Sequence, residues 1–262
     1  MRAVGRHFGR FSTVRSTTGL LYFQSDRVPS SLKSTGRVGT NRDLLGSDGE
    51  FFGTDPIACR TEIADGRASN KTLDNNGFCM VEHAYDHIEY YDNKQVVDKY
   101  YRECEALITR ETGASRVIAF DHNVRSRQQK DAGAHLRGGS AVQEPLITYG
   151  VHNDYTLASA PRRMAQLTQP LGANDTLKTR QDGTSPPISE AEREALLRGR
   201  WAIYNVWRNI AVAPVESFPL AMCDAATVST DDLVVFEIRY SDRVGENYFA
   251  RASTHHQARC LS

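Results

Sequence analysis

The stretch GVHNDYT, Gly150 to Thr156, sets a histidine and an aspartate two positions apart. In an extended chain, residues i and i+2 project from one face, so His152 and Asp154 can aim at a single metal ion while Asn153 points away. The chemistry in question is two-thirds of an iron site. The spacing carries little by itself. With 8 histidines and 32 acids in 262 residues, chance supplies about one such pair. His87 and Glu89 repeat it in a tyrosine-rich stretch that reads as surface. A hydrogen-bonded turn is the plain alternative for the pair, so its surroundings must decide.

Those surroundings are mostly strand-like. GFCMVEH (77–83), SRVIAFDH (115–122), WAIYNVWR (201–208), FPLAMCD (218–224), DLVVFEIRY (232–240) and ENYFARAS (246–253) read as strands. Helical spacing of Val96, Val97, Tyr100, Tyr101, Cys104, Leu107 and Ile108 predicts a helix near 94–111 that stops at Gly113. SAPRRMAQL is a short helix. Ser189 with Glu192 three residues on is a capping box for another. Residues 28–56 are rich in Gly, Ser and Pro and read as an irregular lead-in, and 126–144 and 168–188 as polar loops. The expected class is mainly β with flanking helices (α+β), with an antiparallel β core.

Five blocks occur in order: VIAFDHNVR, VHNDYTLASAPRRM, WAIYNVWRNI, PLAMCDAATV with DDLV, and SDRVGENYFARASTHH. Together they resemble the hydroxylase/desaturase family that includes the fungal gibberellin desaturase and the cephalosporin 7-alpha-methoxylation component. The resemblance covers Leu73 to His256, with a fainter match at TTGLLYF. It implies a double-stranded β-helix (jelly roll), non-haem Fe(II), and 2-oxoglutarate with dioxygen as co-substrates. It further implies oxidation of a small organic molecule of secondary metabolism, by hydroxylation or desaturation.

A facial triad of two histidines and one carboxylate fills three positions of octahedral Fe(II) and leaves three for co-substrate and oxygen. His152 and Asp154 match two of those ligands. The co-substrate carboxylate calls for a bidentate cation, for which arginine is suited. Asn205 and Arg208 in NVWRNI are the cofactor-binding candidates, although strand alternation puts Asn205 with Trp207 on one face and Arg208 with Val206 on the other. A structural ion pair is the competing role for Arg208. Arg125 and Tyr155 are candidates for holding substrate. His122, ending a strand-like run, reads as a hydrogen-bonded histidine.

In the resembling family the distal histidine and the co-substrate arginine follow further strands after the stretch like ASTHH. Here the sequence departs at Gln257 into QARCLS. The expectation is a jelly roll lacking its closing strands and the third ligand. His255 or His256, with Arg259 or Arg251 as anchor, is the fallback. The corresponding division is an extension and lead-in over 1–56 and an incomplete oxygenase-like domain over 57–262. The alternative function is a non-catalytic binding or assembly protein, or pseudoenzyme, partnering a methyltransferase.

Bulk composition narrows the partners. Lysine plus arginine balances aspartate plus glutamate at 32 each, which argues against nucleic acid or an anionic membrane as the main partner; a small-molecule substrate is what the resemblance implies. No run approaches the ~20 apolar residues of a membrane span. Five scattered cysteines without a CxxC pair point to reduced thiols and a cytoplasmic protein. The first 19 residues carry four arginines and no acid, a composition shared with mitochondrial presequences and with disordered extensions.

Overall fold

The computed structural model describes residues 16–42, 48–67, 70–84, 88–133, 142–143, 150–171, 176–179, 185–240 and 243–260. Nine strands and six α-helices are used below: β1 Ser16–Gln24, β2 Gly39–Arg42, β3 Asp48–Phe52, β4 Pro56–Asp65, α1 Leu73–Asn76, α2 Asn93–Gln95, α3 Tyr101–Thr112, α4 Arg127–Asp131, β5 His152–Asn153, α5 Ser159–Gln166, α6 Glu190–Arg198, β6 Ala221–Cys223, β7 Leu233–Arg239, β8 Val244–Ala250 and β9 Ala258–Cys260. One sheet runs β1-β4-β9-β6 and the other β3-β2-β7-β8-β5.

Alternation along β7 explains the core. Val234, Phe236 and Ile238 fall on one face and pack with Val28, Val38 and Phe249, all buried. Phe236 and Phe249 stack at 4.2 Å, 9° from parallel. The opposite register of β7 carries Glu237, whose carboxylate accepts from Ser34 Oγ and from Gly36 N (3.0 Å). That draws the polar stretch 31–37 onto the sheet, where Ser31 N donates to the Leu233 carbonyl at 2.8 Å.

The two sheets meet where β1 ends. Val151 N donates to Tyr22 O at 2.8 Å, Ala250 N to Val151 O at 2.9 Å, and Ala252 N to Gln24 O at 2.9 Å. β5 is thereby pinned between β1 and β8, with His152 opposite Phe249 and Asn153 opposite Tyr248. That junction is what positions the residues of interest.

The helical expectations hold. α2, a π-turn over Val96–Tyr100, and α3 form one continuous helical segment. Asp92 caps its start by accepting from Lys94 N and Gln95 N, and Gly113 ends it with φ 68°. The π-turn places the adjacent Tyr100 and Tyr101 on different partners: Tyr100 lies edge-on to Tyr90, and Tyr101 edge-on to His122. Val96, Val97 and Tyr101 pack on Ile88, Tyr90 and Leu177. Ser189 caps α6 by accepting from Glu192 N.

Four expectations need correction. Residues 28–56 are not simply irregular: β2 and β3 lie within them, and β2 sits between β3 and β7. The sheets are mixed, because β2 runs parallel to β7 and β4 parallel to β9. The runs 77–83, 115–122 and 201–208 are not strands. Their apolar residues are instead used in side-chain packing, as Ile118, Phe120 and Trp201 are against Met164, Leu167 and Ile188. Alternation specifies a buried face, and it does not supply a ladder partner. Finally, the departure after Gln257, where no element was expected, contributes a strand: β9 lies between β4 and β6, with Ala258 buried. The overall class is α+β, dominated by two mixed sheets.

Candidate metal centre

His152 and Asp154 converge. Their side chains face each other with Nε2 and Oδ1 3.4 Å apart, at 21% and 45% side-chain exposure, while exposed Asn153 occupies the alternate register of β5. The local chain explains the convergence. Gly150 takes φ 106°, a conformation L side chains rarely adopt, and so turns its carbonyl toward the imidazole; His152 Nδ1 donates to it at 2.8 Å. With Nδ1–H committed, Nε2 faces the carboxylate: it donates to Asp154 when the ring is protonated and carries the lone pair when the ring is neutral. The ring also leans on Phe249, with centroids 6.2 Å apart.

Asp154 is held from the other side. Asn205 Nδ2 donates to Asp154 Oδ2 at 2.6 Å, leaving Oδ1 directed toward His152. With its amide oriented to donate, Asn247 reaches the Asp154 carbonyl at 3.1 Å. The hydrogen bond from His152 is the main reason the Asp154 carboxyl sits below its usual range; burial opposes this, and Asn205, the His152 charge and Arg125 assist. For His152, burial disfavours the charged ring, yet the hydrogen bonds to Asp154 and Gly150 and the Asp154 charge prevail and raise its pKa, against Arg125.

An imidazole Nε2 with its Nδ1 engaged by a carbonyl and a carboxylate with one free oxygen are donors that suit Fe(II). The chemistry and convergence of these two atoms fit two positions of an octahedral ion. Among the described residues no three His, Cys, Asp or Glu side chains gather to hold a metal, and the structure does not bring the fallback ligands His255 and His256 to the pair. His256 is buried at 4% side-chain exposure, where its Nε2 meets Asp232 Oδ2 at 3.1 Å and its ring packs on Phe23. The turn leading into β9 commits it there. His255 lies in the same turn, its N–H given to Ser253 Oγ.

The other candidates divide. Asn205 joins the pair. Arg208 points elsewhere, donating from Nε to Tyr100 Oη at 2.9 Å and contacting His83 Nδ1 at 2.7 Å. Asn205 and Arg208 thus face different partners, although their stretch forms no strand, and Arg208 braces the helical segment instead of the metal pair. Arg125 lies close enough for its charge to act on both His152 and Asp154. Tyr155 follows Asp154 and bonds toward Arg163, with burial pushing its hydroxyl pKa up. His122 Nδ1 meets Tyr101 Oη at 2.9 Å, the hydrogen-bonded role expected of it. Glu89 is exposed as expected, and its neighbour in the repeated spacing, His87, lies outside the described residues.

A family model described as Oxidoreductase/YMDC permease-like domain matches residues 46–183 and 186–259. The chain belongs to this family. An uncharacterised protein from the dcmA 3′ region of Methylophilus leisingeri is 35% identical over 187 residues, covering 70% of this chain and 86% of that protein. The hydroxylase/desaturase efuI of Hormonema carpetanum is 30% identical, covering 75% of this chain and 59% of its own length. The alpha-ketoglutarate-dependent dioxygenase phiK of a fungal species is 27% identical over 71% of this chain and 62% of its own. The chain thus spans about three-fifths of these fungal relatives. The solved structure of the iron and alpha-ketoglutarate-dependent endoperoxidase NvfI superposes with a TM-score of 0.65 at 19% identity, over 95% of this chain and 80% of that one. The jelly-roll-type fold of such oxygenases is therefore the fold of this family member, and the hydroxylase/desaturase resemblance read from the ordered blocks is matched by a relative of that name.

Sequence reasoning passed over three supports: the Gly150 carbonyl, Asn247, and Glu246 with its partners after Asp154. A glycine two residues before the histidine was the one visible signal, since a conformation at φ 106° favours glycine.

Proposed function

We propose that this chain is an Fe(II)/2-oxoglutarate-type oxidoreductase that hydroxylates or desaturates a small organic substrate of secondary metabolism. The observation that carries this reading is the convergence of His152 Nε2 and Asp154 Oδ1 at 3.4 Å, with Gly150 and Asn205 fixing the far side of each. The names of relatives such as phiK and efuI support it.

His152 and Asp154 would hold the iron through Nε2 and Oδ1. Bound Fe(II), with 2-oxoglutarate and dioxygen, supplies a two-electron oxidation of an unactivated carbon coupled to decarboxylation of the co-substrate to succinate. The chain's residues contribute geometry and charge. Gly150 O keeps the proton of His152 on Nδ1, and Asn205 stops Asp154 from rotating Oδ2 toward the ion. Arg125, whose charge already acts on the pair, would receive a carboxylate of the co-substrate or substrate. Tyr155 would border the organic substrate, and a third protein donor is not supplied by the described residues.

Among the described residues no helix is long and apolar enough to cross a membrane. The second reading is a binding or assembly protein. It draws on the same observation, since a two-donor site binds Fe(II) more weakly than a facial triad. Incubation with Fe(II), 2-oxoglutarate and oxygen separates the two. Succinate that disappears in His152→Ala and Asp154→Ala supports the oxidoreductase; equal, negligible succinate in wild type and both variants supports the binding protein.

A further inference from the structure

Directly after the metal pair, four side chains far apart in sequence or without a shared pattern come together: Glu246, Thr156, Ser159 and Arg162. Glu246, on β8, is buried at 6% exposure. Its Oε2 accepts from Thr156 Oγ1 at 2.8 Å and its Oε1 from Arg162 Nη2 on α5. Its main-chain carbonyl accepts from Ser159 Oγ at 2.9 Å. Thr156 Oγ1 in turn accepts from Ala158 N (3.1 Å) and Ser159 N (3.0 Å), and Ser159 Oγ from Thr156 N (2.8 Å). The turn from Asp154 into α5 is therefore tied at both ends to one carboxylate.

A buried carboxylate is costly unless its charge is paired and its oxygens accept hydrogen bonds. Here Arg162, half-exposed, pairs the charge and Thr156 supplies the neutral bond. Thr156 is itself buried, at 3%. The next residues of β8 continue the grip: Asn247 reaches the Asp154 carbonyl, and Tyr248 Oη receives Leu157 N at 3.4 Å. β5 leaves the sheet after Asn153, so beyond that point no ladder fixes the chain. The side chains of β8 take over.

We propose that Glu246 is a positioning residue for the metal pair: by holding Thr156 and Arg162 it fixes the turn after Asp154 and so sets the Asp154 carboxylate relative to His152. The inference rests on the iron reading only for its consequence in metal binding; the positioning itself is a statement about Asp154.

The test uses the full chain with Co(II) alone as probe. Glu246→Gln keeps shape and loses the charge that pairs Arg162. The expected result is a crystal structure in which the Asp154 carboxylate has moved from His152 by more than about 0.5 Å, the tolerance of a productive site. Co(II) affinity is expected to weaken about 10-fold, as when the supports of a ligand are removed. Should Glu246→Gln fail to fold, Thr156→Val removes the neutral bond alone and is expected to act in the same direction, while Thr156→Ser, which keeps the hydroxyl, restores both readouts. An unmoved Asp154 in a folded variant overturns the proposal, and so does unchanged Co(II) affinity where His152→Ala abolishes binding. If His152→Ala itself leaves Co(II) binding intact, the metal reading fails, and the displacement of Asp154 still decides the positioning claim.

Discussion

Asn205 donates to Asp154 Oδ2 at 2.6 Å across 51 residues of sequence, from a stretch that has no ladder to hold it. The bond is what leaves Asp154 Oδ1 turned toward His152. Asn205→Ala should weaken Co(II) or Fe(II) binding by about 10–100-fold, the range for lost outer supports of a ligand. Asn205→Asp should do more, because it sets a second carboxylate against the first. Titration with Co(II) measures both; an affinity that survives Asn205→Asp would remove Asn205 from the site.

What could be read from the sequence follows a physical line. His152 and Asp154 were legible because period-two alternation is set by the backbone. The helical segment was legible from its apolar spacing and from Gly113. The run WAIYNVWR was misread because alternation reports a buried face only, and its backbone found no ladder. β9 was missed because three residues, ARC, carry no pattern, and their strand exists through β4 and β6 on either side. Glu246 was invisible for the opposite reason. A glutamate in a strand reads as solvent-facing, and only the fold brings Thr156 and Arg162 to it.

Phe249 joins core and site, stacking on Phe236 and lying under the His152 ring. At 1% exposure its truncation leaves a cavity, so Phe249→Ala should lower stability by about 3–5 kcal/mol. Phe249→Leu should cost less and still loosen His152. Urea unfolding gives the first number, and a Co(II) titration of Phe249→Leu the second. A Phe249→Ala loss under ~1 kcal/mol would mean that the core of β7 and β8 is not packed as described.

Gly150 holds φ 106°. An added Cβ would meet Tyr22 O at 3.6 Å and Phe249 at 3.8 Å, ordinary contacts, so the difficulty is backbone conformation and not space. Gly150→Ala should cost roughly 1–3 kcal/mol and turn the carbonyl away from His152 Nδ1. The expected signature is a shift of the ring's proton between its two nitrogens, read by nitrogen NMR of the histidine. Unchanged ring signals would show that Gly150 does not set the tautomer.

Arg208 should behave as a brace. Arg208→Ala removes hydrogen bonds to Tyr100 and His83, and should destabilise the helical segment by roughly 1–3 kcal/mol, the scale of charge-assisted bonds. Co(II) affinity should stay at the wild-type value, in contrast to Asn205→Ala three residues away. Weakened Co(II) binding in a fully folded Arg208→Ala would return Arg208 to the site.

Asp224 offers a pH-dependent test of the frame. It is buried, with Oδ2 2.6 Å from Lys71 Nζ and Oδ1 2.9 Å from Asn76 Nδ2, and so ties α1 and the segment before it to the end of β6. Burial pushes its carboxyl up, but the bonds from Asn76, Lys71 and Ala226 N outweigh burial and hold the pKa below its usual value. A carboxyl whose folded pKa is depressed stabilises the fold fully above its unfolded pKa, and that contribution is lost as pH falls through the folded pKa. Asp224→Asn should therefore be less stable than wild type near pH 7, and the gap should narrow only below about pH 4. Urea midpoints of both proteins across that range measure it. A gap that instead narrows as pH rises from neutrality would mean that Lys71, and not the depressed carboxyl, governs the link.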